Sequence, residues 1–124
     1  MAVDLTGQVA AESFDNRPYT GVGGQAVFMM AGSYSPGGKS VSVVPSSSVL
    51  STTGERVSRI VAGLPTGTPV TVPRTFVDFV VTEYGIAELR GRSVNQRIGA
   101  LIEIAHPDFR DQLRSEARQL YNAS

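Results

Sequence analysis

Phe76-Val77-Asp78-Phe79-Val80-Val81-Thr82-Glu83-Tyr84-Gly85 is the stretch that decides how this chain folds. From Phe76 to Val81 it is apolar, with only Asp78 interrupting, and it predicts a strand buried on both faces. The apolar character stops at the carboxylate of Glu83, followed by the aromatic Tyr84 and by Gly85. Ile86-Ala87-Glu88-Leu89 then reads as a short helical turn before Arg90-Gly91. A buried strand ending in a carboxylate and a glycine suits the rim of an open α/β sheet, where ligands bind beyond the carboxyl ends of the strands. A strand that simply ends at an exposed polar residue fits the same letters, and a single carboxylate does not separate the two readings.

Upstream of this stretch, Ala2-Val3-Asp4-Leu5 reads as a strand, Thr6-Gly7-Gln8 as a turn and Val9-Ala10-Ala11 as the returning strand. A chain that opens almost inside an element suggests that the natural sequence continues upstream, although an N-terminal edge strand is an equal reading. Residues 12–20 are polar and turn-like. Gly21-Val22-Gly23-Gly24-Gln25 then leads into Ala26-Val27-Phe28-Met29-Met30-Ala31, a short helix. Glycines at a helix start let a ligand approach the backbone, and the free N–H groups there favour an anion or a developing oxyanion. A tight turn that needs positive φ is the other reading. Neither the dinucleotide fingerprint nor the phosphate-binding loop with its Lys-Ser/Thr is present.

Gly37-Gly38-Lys39-Ser40 forms a second glycine turn, and Lys39 is either a phosphate contact or a solvated turn lysine. Val41-Ser42-Val43-Val44 reads as a strand closed by Pro45, residues 45–55 as a mobile polar loop, Ser58–Ala62 as a strand, and Val70-Thr71-Val72 as a short strand ended by Pro73. Beyond Gly91 the pattern turns helical. Ser93-Val94-Asn95-Gln96 fits a capping box, and Val94, Ile98, Leu101, Ile102 and Ala105 form one apolar stripe. Pro107 opens a second helix whose buried face is Phe109, Leu113, Ala117 and Leu120, with Asp108 and Asp111 in its first turn. His106, at the join, reads as a structural corner residue.

Composition narrows the possibilities. The 124 residues make one small domain or a piece of a larger one. Eleven basic residues balance eleven acidic ones, with no basic stripe to bind nucleic acid or an anionic membrane surface. There is no cysteine, so disulfides, thiolate nucleophiles and Cys-based metal sites are excluded. A single histidine argues against a His-rich metal site and a serine triad. No apolar run is long enough for a membrane-spanning helix. A cytoplasmic protein is expected.

Taken together, Gly21–Gln25, Gly37–Ser40, Ser58–Val61, Val80–Gly91 and Ala105–Arg110 occur in an order that resembles the C-terminal domain of the acetyl-CoA hydrolase/CoA-transferase family. Val3–Val9 resembles the same family, so the likeness spans nearly the whole chain, 1–124. The resemblance implies an α/β fold of the CoA-transferase type: an open sheet with helices packed on it and a C-terminal helix pair, forming half of a two-domain protein. It implies reversible CoA transfer between carboxylic acids, or acyl-CoA hydrolysis, with coenzyme A or acyl-CoA as substrate and no covalently bound cofactor. In this family a glutamate attacks the thioester and becomes a glutamyl-CoA thioester after an anhydride. The resemblance makes Gly24 an oxyanion-hole donor and Glu83 an active-site carboxylate beside the reacting groups, where two neighbouring carboxylates raise at least one pKa. It places Gly21, Gly23, Lys39, Tyr84 and Gly85 against the substrate or CoA. The family's nucleophilic glutamate lies upstream of Gly21, and nothing here matches it; Glu12 sits on a polar turn. The expected partners are therefore acyl-CoA, a small carboxylic acid, an N-terminal CoA-transferase domain and further copies in a homo-oligomer. A non-catalytic module that binds CoA or a partner is the alternative.

Overall fold

A computed structural model describes residues 1–14, 17–18 and 23–123. In chain order the strands and helices are β1 (Ala2–Asp4), β2 (Val9–Ala10), β3 (Ser13–Phe14), β4 (Arg17–Pro18), α1 (Gln25–Tyr34), β5 (Val41–Val43), β6 (Ser47–Val49), β7 (Arg56–Ser58), β8 (Ile60–Val61), β9 (Phe79–Thr82), β10 (Gly85–Glu88), α2 (Val94–Ile104) and α3 (Arg110–Tyr121). Short 3-10 turns at Arg74–Phe76 and Pro107–Phe109 precede β9 and α3.

Two three-stranded mixed sheets carry the fold, in the orders β2-β1-β8 and β10-β9-β5, and two hairpins, β3-β4 and β6-β7, flank them. In the first sheet, β1 runs antiparallel to β2 and parallel to β8. The turn between β1 and β2 is closed by the Asp4 carboxylate, which accepts from the Thr6 N–H at 2.9 Å, the Thr6 hydroxyl at 2.8 Å and the Gln8 N–H at 3.0 Å. Asp is suited to this because its short side chain reaches the backbone two residues on. Gly7 sits in the same turn at φ 100°, where a side chain would be strained.

In the second sheet, β9 lies between β5, parallel, and β10, antiparallel. The register aligns Ser42, Val80 and Ala87 on one face, all buried. α1 lies against this face at β5, where the Ser42 hydroxyl meets Met29 Sδ at 3.9 Å, and α2 packs on β10 and β9. α2 begins with the expected capping box: Ser93 Oγ accepts from the Gln96 N–H, and Gln96 reaches back to the Ser93 N–H. Its buried residues Ile98, Leu101, Ile102 and Ile104 join Leu113 and Ala117 of α3, and the strand residues Val3, Ile60, Val80 and Leu89, in one core.

Asp78, the polar break in the apolar run, is buried at the start of β9. Its carboxylate accepts from the Ser40 N–H at 2.9 Å and the Ser33 hydroxyl at 3.2 Å, with Arg90 Nη1 at 3.7 Å. Its N–H donates to Ser40 Oγ at 2.9 Å, and its carbonyl accepts from the Leu89 N–H at 2.8 Å. One residue thus ties together the end of α1, the start of β5 and the end of β10.

Several expectations need correction; Leu120, expected on the buried face of the last helix, is exposed. Ile86–Leu89 is not a helical turn but lies in β10 and just beyond it; Ile86 and Glu88 face out while Ala87 and Leu89 are buried, the period of a strand. The strand expected over Phe76–Val81 is β9, shifted to Phe79–Thr82, because the Phe76 carbonyl is taken by the Ser33 and Ser40 hydroxyls; its outer residues Phe79 and Val81 are only half-buried. Residues 45–55 are not a featureless loop: they contribute β6 and the turn to β7, closed by Leu50 N–H to Glu55 O and Gly54 N–H to Leu50 O, both 2.8 Å. Val70–Val72 makes a single bridge, Val72 to Val9, since Pro69 and Pro73 on either side have no N–H to extend a ladder.

Replacing Asp78 by alanine leaves buried donors without acceptors, each costing about 1–3 kcal/mol. Urea unfolding should show D78A less stable by about 2–4 kcal/mol, against about 1 kcal/mol for loss of the α2 cap in S93A. Equal losses in the two variants would contradict the role given to Asp78.

Candidate active site

β9 and β10 are joined by only two residues, Glu83 and Tyr84, with Thr82 paired to Gly85. This tight turn fixes the Glu83 backbone to the sheet. The buried Thr82 hydroxyl anchors the turn from below: it donates to the Ile104 carbonyl at 2.6 Å and accepts from the Tyr84 N–H at 3.1 Å. Gly85 takes φ 144°, and a Cβ there would lie 3.5 Å from Ile104. The glycine is needed for its backbone angle rather than for space.

β5 runs parallel to β9 and exits at the same end, continuing through Val44-Pro45 to Ser46. The Ser46 N–H donates to Glu83 Oε1 at 2.7 Å, and the Ser46 carbonyl accepts from the Arg59 N–H at 2.8 Å. The Ser46 backbone is therefore held from β8's side while it holds Glu83. This hydrogen bond is the main reason that the Glu83 carboxyl lies below its ordinary value of 4.5. The Ser46 hydroxyl, buried and without a well-formed hydrogen bond, adds to the shift, and the charge of His106 contributes last. Glu83 is thus an anion at neutral pH.

The rest of the rim comes from the join of α2 and α3. The Tyr84 ring meets the His106 ring edge-on at 5.8 Å, and the Arg110 guanidinium lies 5.5 Å from the Tyr84 ring centre. His106 also caps the turn before α3, its Nδ1 accepting from the Asp108 N–H at 3.2 Å, and Arg110 Nε donates to the Ala105 carbonyl at 2.9 Å. The corner role expected for His106 holds, and the same corner lines the rim.

α1 runs back along the sheet, antiparallel to β5. Ser33, near its end, bonds to Phe76 and Asp78 at the start of β9, and Met29 meets Ser42 in mid-strand. Its N-terminus, capped by Gly24, therefore points to the Glu83 end of the sheet. No acceptor among the described residues meets the Gly24 N–H. Gly23 has φ 62° and open space around it, so glycine is required there by the backbone. Gly24 differs: at φ −94° and ψ −3° any residue fits, and a Cβ would meet only the Phe28 ring at 3.2 Å, on an exposed side chain. Gly21 lies outside the described residues. Lys39 is not brought to the rim. It precedes β5 at the opposite end of β9, with Nζ 5.4 Å from the Phe79 ring centre, and four residues of strand separate that end from Glu83, about 13 Å. Among the described residues no group of three or more His, Asp or Glu side chains could hold a metal ion.

The fold is an α/β domain with an open mixed sheet, and Glu83 and the N-terminus of α1 lie at one end of that sheet. Residues 1–117 match the acetyl-CoA hydrolase/transferase C-terminal domain, and the chain belongs to that family. It is 46% identical over 120 residues to 4-hydroxybutyrate coenzyme A transferase of Clostridium kluyveri, covering 96% of this chain and 27% of that protein. It is 47% identical over 117 residues to butyryl-CoA:acetate CoA-transferase of Anaerostipes caccae, covering 94% and 26%. Among solved structures, RipA from Yersinia pestis superposes with a TM-score of 0.84 at 38% identity, over 97% of this chain and 26% of that one. 4-Hydroxybutyrate CoA-transferase from Porphyromonas gingivalis gives 0.67 at 39% identity, over 97% and 25%. The chain spans about a quarter of the length of the relatives it matches.

Because the Glu83 value is lowered on folding, Glu83 stabilises the fold above pH 4.5, and this contribution is lost as the pH falls through the folded value. NMR titration of the side-chain carboxyls should place the Glu83 midpoint below the ordinary glutamate range. S46A should raise it only part of the way, since the backbone N–H remains. A Glu83 that titrates like a free glutamate would remove Ser46 as its holder.

Proposed function

We propose that this chain forms one wall of an acyl-CoA:carboxylate CoA-transferase site, completed by polypeptide outside it that supplies the nucleophilic glutamate. The observation that carries this reading is the anion of Glu83, pinned by the Ser46 N–H at the same end of the sheet as the N-terminus of α1, which has no side-chain cap among the described residues. The relatives named as CoA-transferases supply the reaction class.

The geometry divides the labour. Transfer of CoA from a thioester to a carboxylate passes through tetrahedral centres, each with a developing oxyanion. The Gly24 N–H at the start of α1 suits that charge, helped by the positive end of the helix dipole. Glu83, held ionised, accepts protons and hydrogen bonds but does not donate them. It orients a substrate carboxyl or hydroxyl, and it pushes the pKa of any carboxylate brought beside it upward. The raised pKa expected of such a pair falls on the partner carboxylate, because Ser46 keeps Glu83 low.

In a full-length protein carrying this domain, E83Q should lower kcat by about 100-fold while changing the Kd for CoA far less. An unchanged kcat would take Glu83 out of the site. G24A keeps the backbone N–H, so a fall in kcat with an unaltered melting midpoint would read crowding of the oxyanion's approach by the added methyl, which within the described fold displaces the exposed Phe28 ring. The 124-residue chain alone should show no turnover with acetyl-CoA and a carboxylate acceptor; calorimetry that detects tight CoA binding by the inactive chain would favour a binding module.

A further inference from the structure

The turn that carries Glu83 is held at its base and also at the Tyr84 ring, and both holds come from the C-terminal end of α2. At the base, the Thr82 hydroxyl joins the Tyr84 N–H to the Ile104 carbonyl. At the ring, Arg110 is anchored by its Nε–H to the next carbonyl, that of Ala105, at 2.9 Å, and its guanidinium lies 5.5 Å from the Tyr84 ring centre. Carbonyls at a helix C-terminus lack helical partners and favour a cation.

Arg110 is badly placed for a residue that serves only its own helix. It is the first residue of α3, where a positive charge opposes the helix dipole. Two carboxylates stand beside it in sequence, yet neither pairs with it: Asp111 is 2.8 Å from Arg114, and Asp108 is 3.9 Å from His106 Nδ1. Among the described residues Arg110 makes no ion pair. Its charge is left to the Tyr84 ring, whose π electrons attract a guanidinium. Tyr84 in turn depends on its ring contacts. It is 45% exposed, and among the described residues its hydroxyl has no hydrogen-bond partner. Besides Arg110 the ring meets the edge of His106, which itself stands edge-on to Phe109 at 5.8 Å.

We propose that Arg110 is a positioning residue for Glu83: together with His106 it fixes the Tyr84 ring, and the fixed ring keeps the Glu83 carboxylate on the Ser46 N–H. The link is the turn itself. Glu83 and Tyr84 share a peptide unit, and Thr82 and Gly85 on either side of them are paired in the sheet, so the turn has no slack to absorb a movement of the ring. A Tyr84 ring that swings away rotates the Glu83 backbone and draws its carboxylate off Ser46. Arg110 acts here through another residue and does not touch the reacting groups. The inference rests on the functional reading above for its effect on turnover, whereas the hold on Glu83 is measurable in the 124-residue chain alone.

In the chain, NMR follows two signals: the Glu83 side-chain carboxyl, and the Ser46 amide, which titrates with Glu83 through their 2.7 Å hydrogen bond. R110A should move the Glu83 midpoint up toward the ordinary glutamate range and shrink the pH-dependent shift of the Ser46 amide. Y84L, which removes the ring, should do the same, and Y84F, which keeps it, should leave both signals as they are in the unaltered chain. In a full-length protein carrying this domain, R110A should lower kcat by about 10-fold, with the Kd for CoA and the KM for the carboxylate acceptor little changed. Unaltered Glu83 and Ser46 signals in R110A overturn the positioning role, and a raised Kd or KM would then make Arg110 a substrate contact instead. Signals that move as expected while kcat stays the same support the hold on Glu83 and count against the functional reading. A Y84F chain that behaves like Y84L overturns the proposal, because the hydroxyl and not the ring would then be the support. A chain that loses its folded state in both R110A and Y84L also overturns it, because these contacts would then serve the fold as a whole.

Discussion

The carboxylate of Asp78 is the constraint on which the second sheet depends. It is the only charged group in the apolar stretch that forms β9, and it sits where α1, β5 and β10 converge. Burying a carboxylate is costly unless donors surround it. Here the Ser33 hydroxyl and the Ser40 N–H donate to it and the Arg90 guanidinium, 3.7 Å away, supplies the opposite charge, each from a different segment. Because these donors are in place, α1 turns back against β5, β5 enters parallel to β9, and the two strands leave together at the far end. The rim with Glu83 and Ser46 exists because the opposite end is locked.

At the rim stand an ionised carboxylate and the side chains of Tyr84, His106 and Arg110, fixed by backbone and ring contacts. Glu83 is held by a peptide N–H, Tyr84 by stacking against His106 and Arg110, and the turn by the Thr82 hydroxyl. Side chains held this way have little freedom to reorganise. Gly24 stands apart: its glycine answers no need within the described fold, in contrast to Gly23, whose φ demands one.

Much of this was legible in the letters. The β1 turn, the α2 capping box, the proline-led start of α3 and the placement of Glu83 at a strand end all follow from local chemistry. β10 was hidden because Glu83-Tyr84 has none of the Asn-Gly character of common two-residue turns, and Ile86–Leu89 is too short for its period to separate strand from helix. The β6-β7 hairpin was hidden in a run of Ser and Thr whose alternation carries little hydrophobic contrast. Ser46 could not be found at all from sequence, since it acts mainly through its backbone N–H, which every residue but proline possesses. The letters of Lys39 suggest an anion contact but not its place, which chain direction puts at the opposite end of β9 from Glu83.

The stretch from Asp78 to Glu83 is clamped at both ends, by Ser40 at the start of β5 and by Ser46 beyond its end. It works as a ruler. Extended chain alternates its side chains strictly, so removing or adding one residue inside it would turn Val80 outward and carry Glu83 about 3.3 Å from its donor. The turn of the β6-β7 hairpin lies between the paired Leu50 and Glu55, its residues 51–54 are exposed, and an added residue there lengthens the loop at little cost. Within one small domain, spacing is therefore part of the chemistry in one segment and incidental in another, and the two are only about thirty residues apart in sequence.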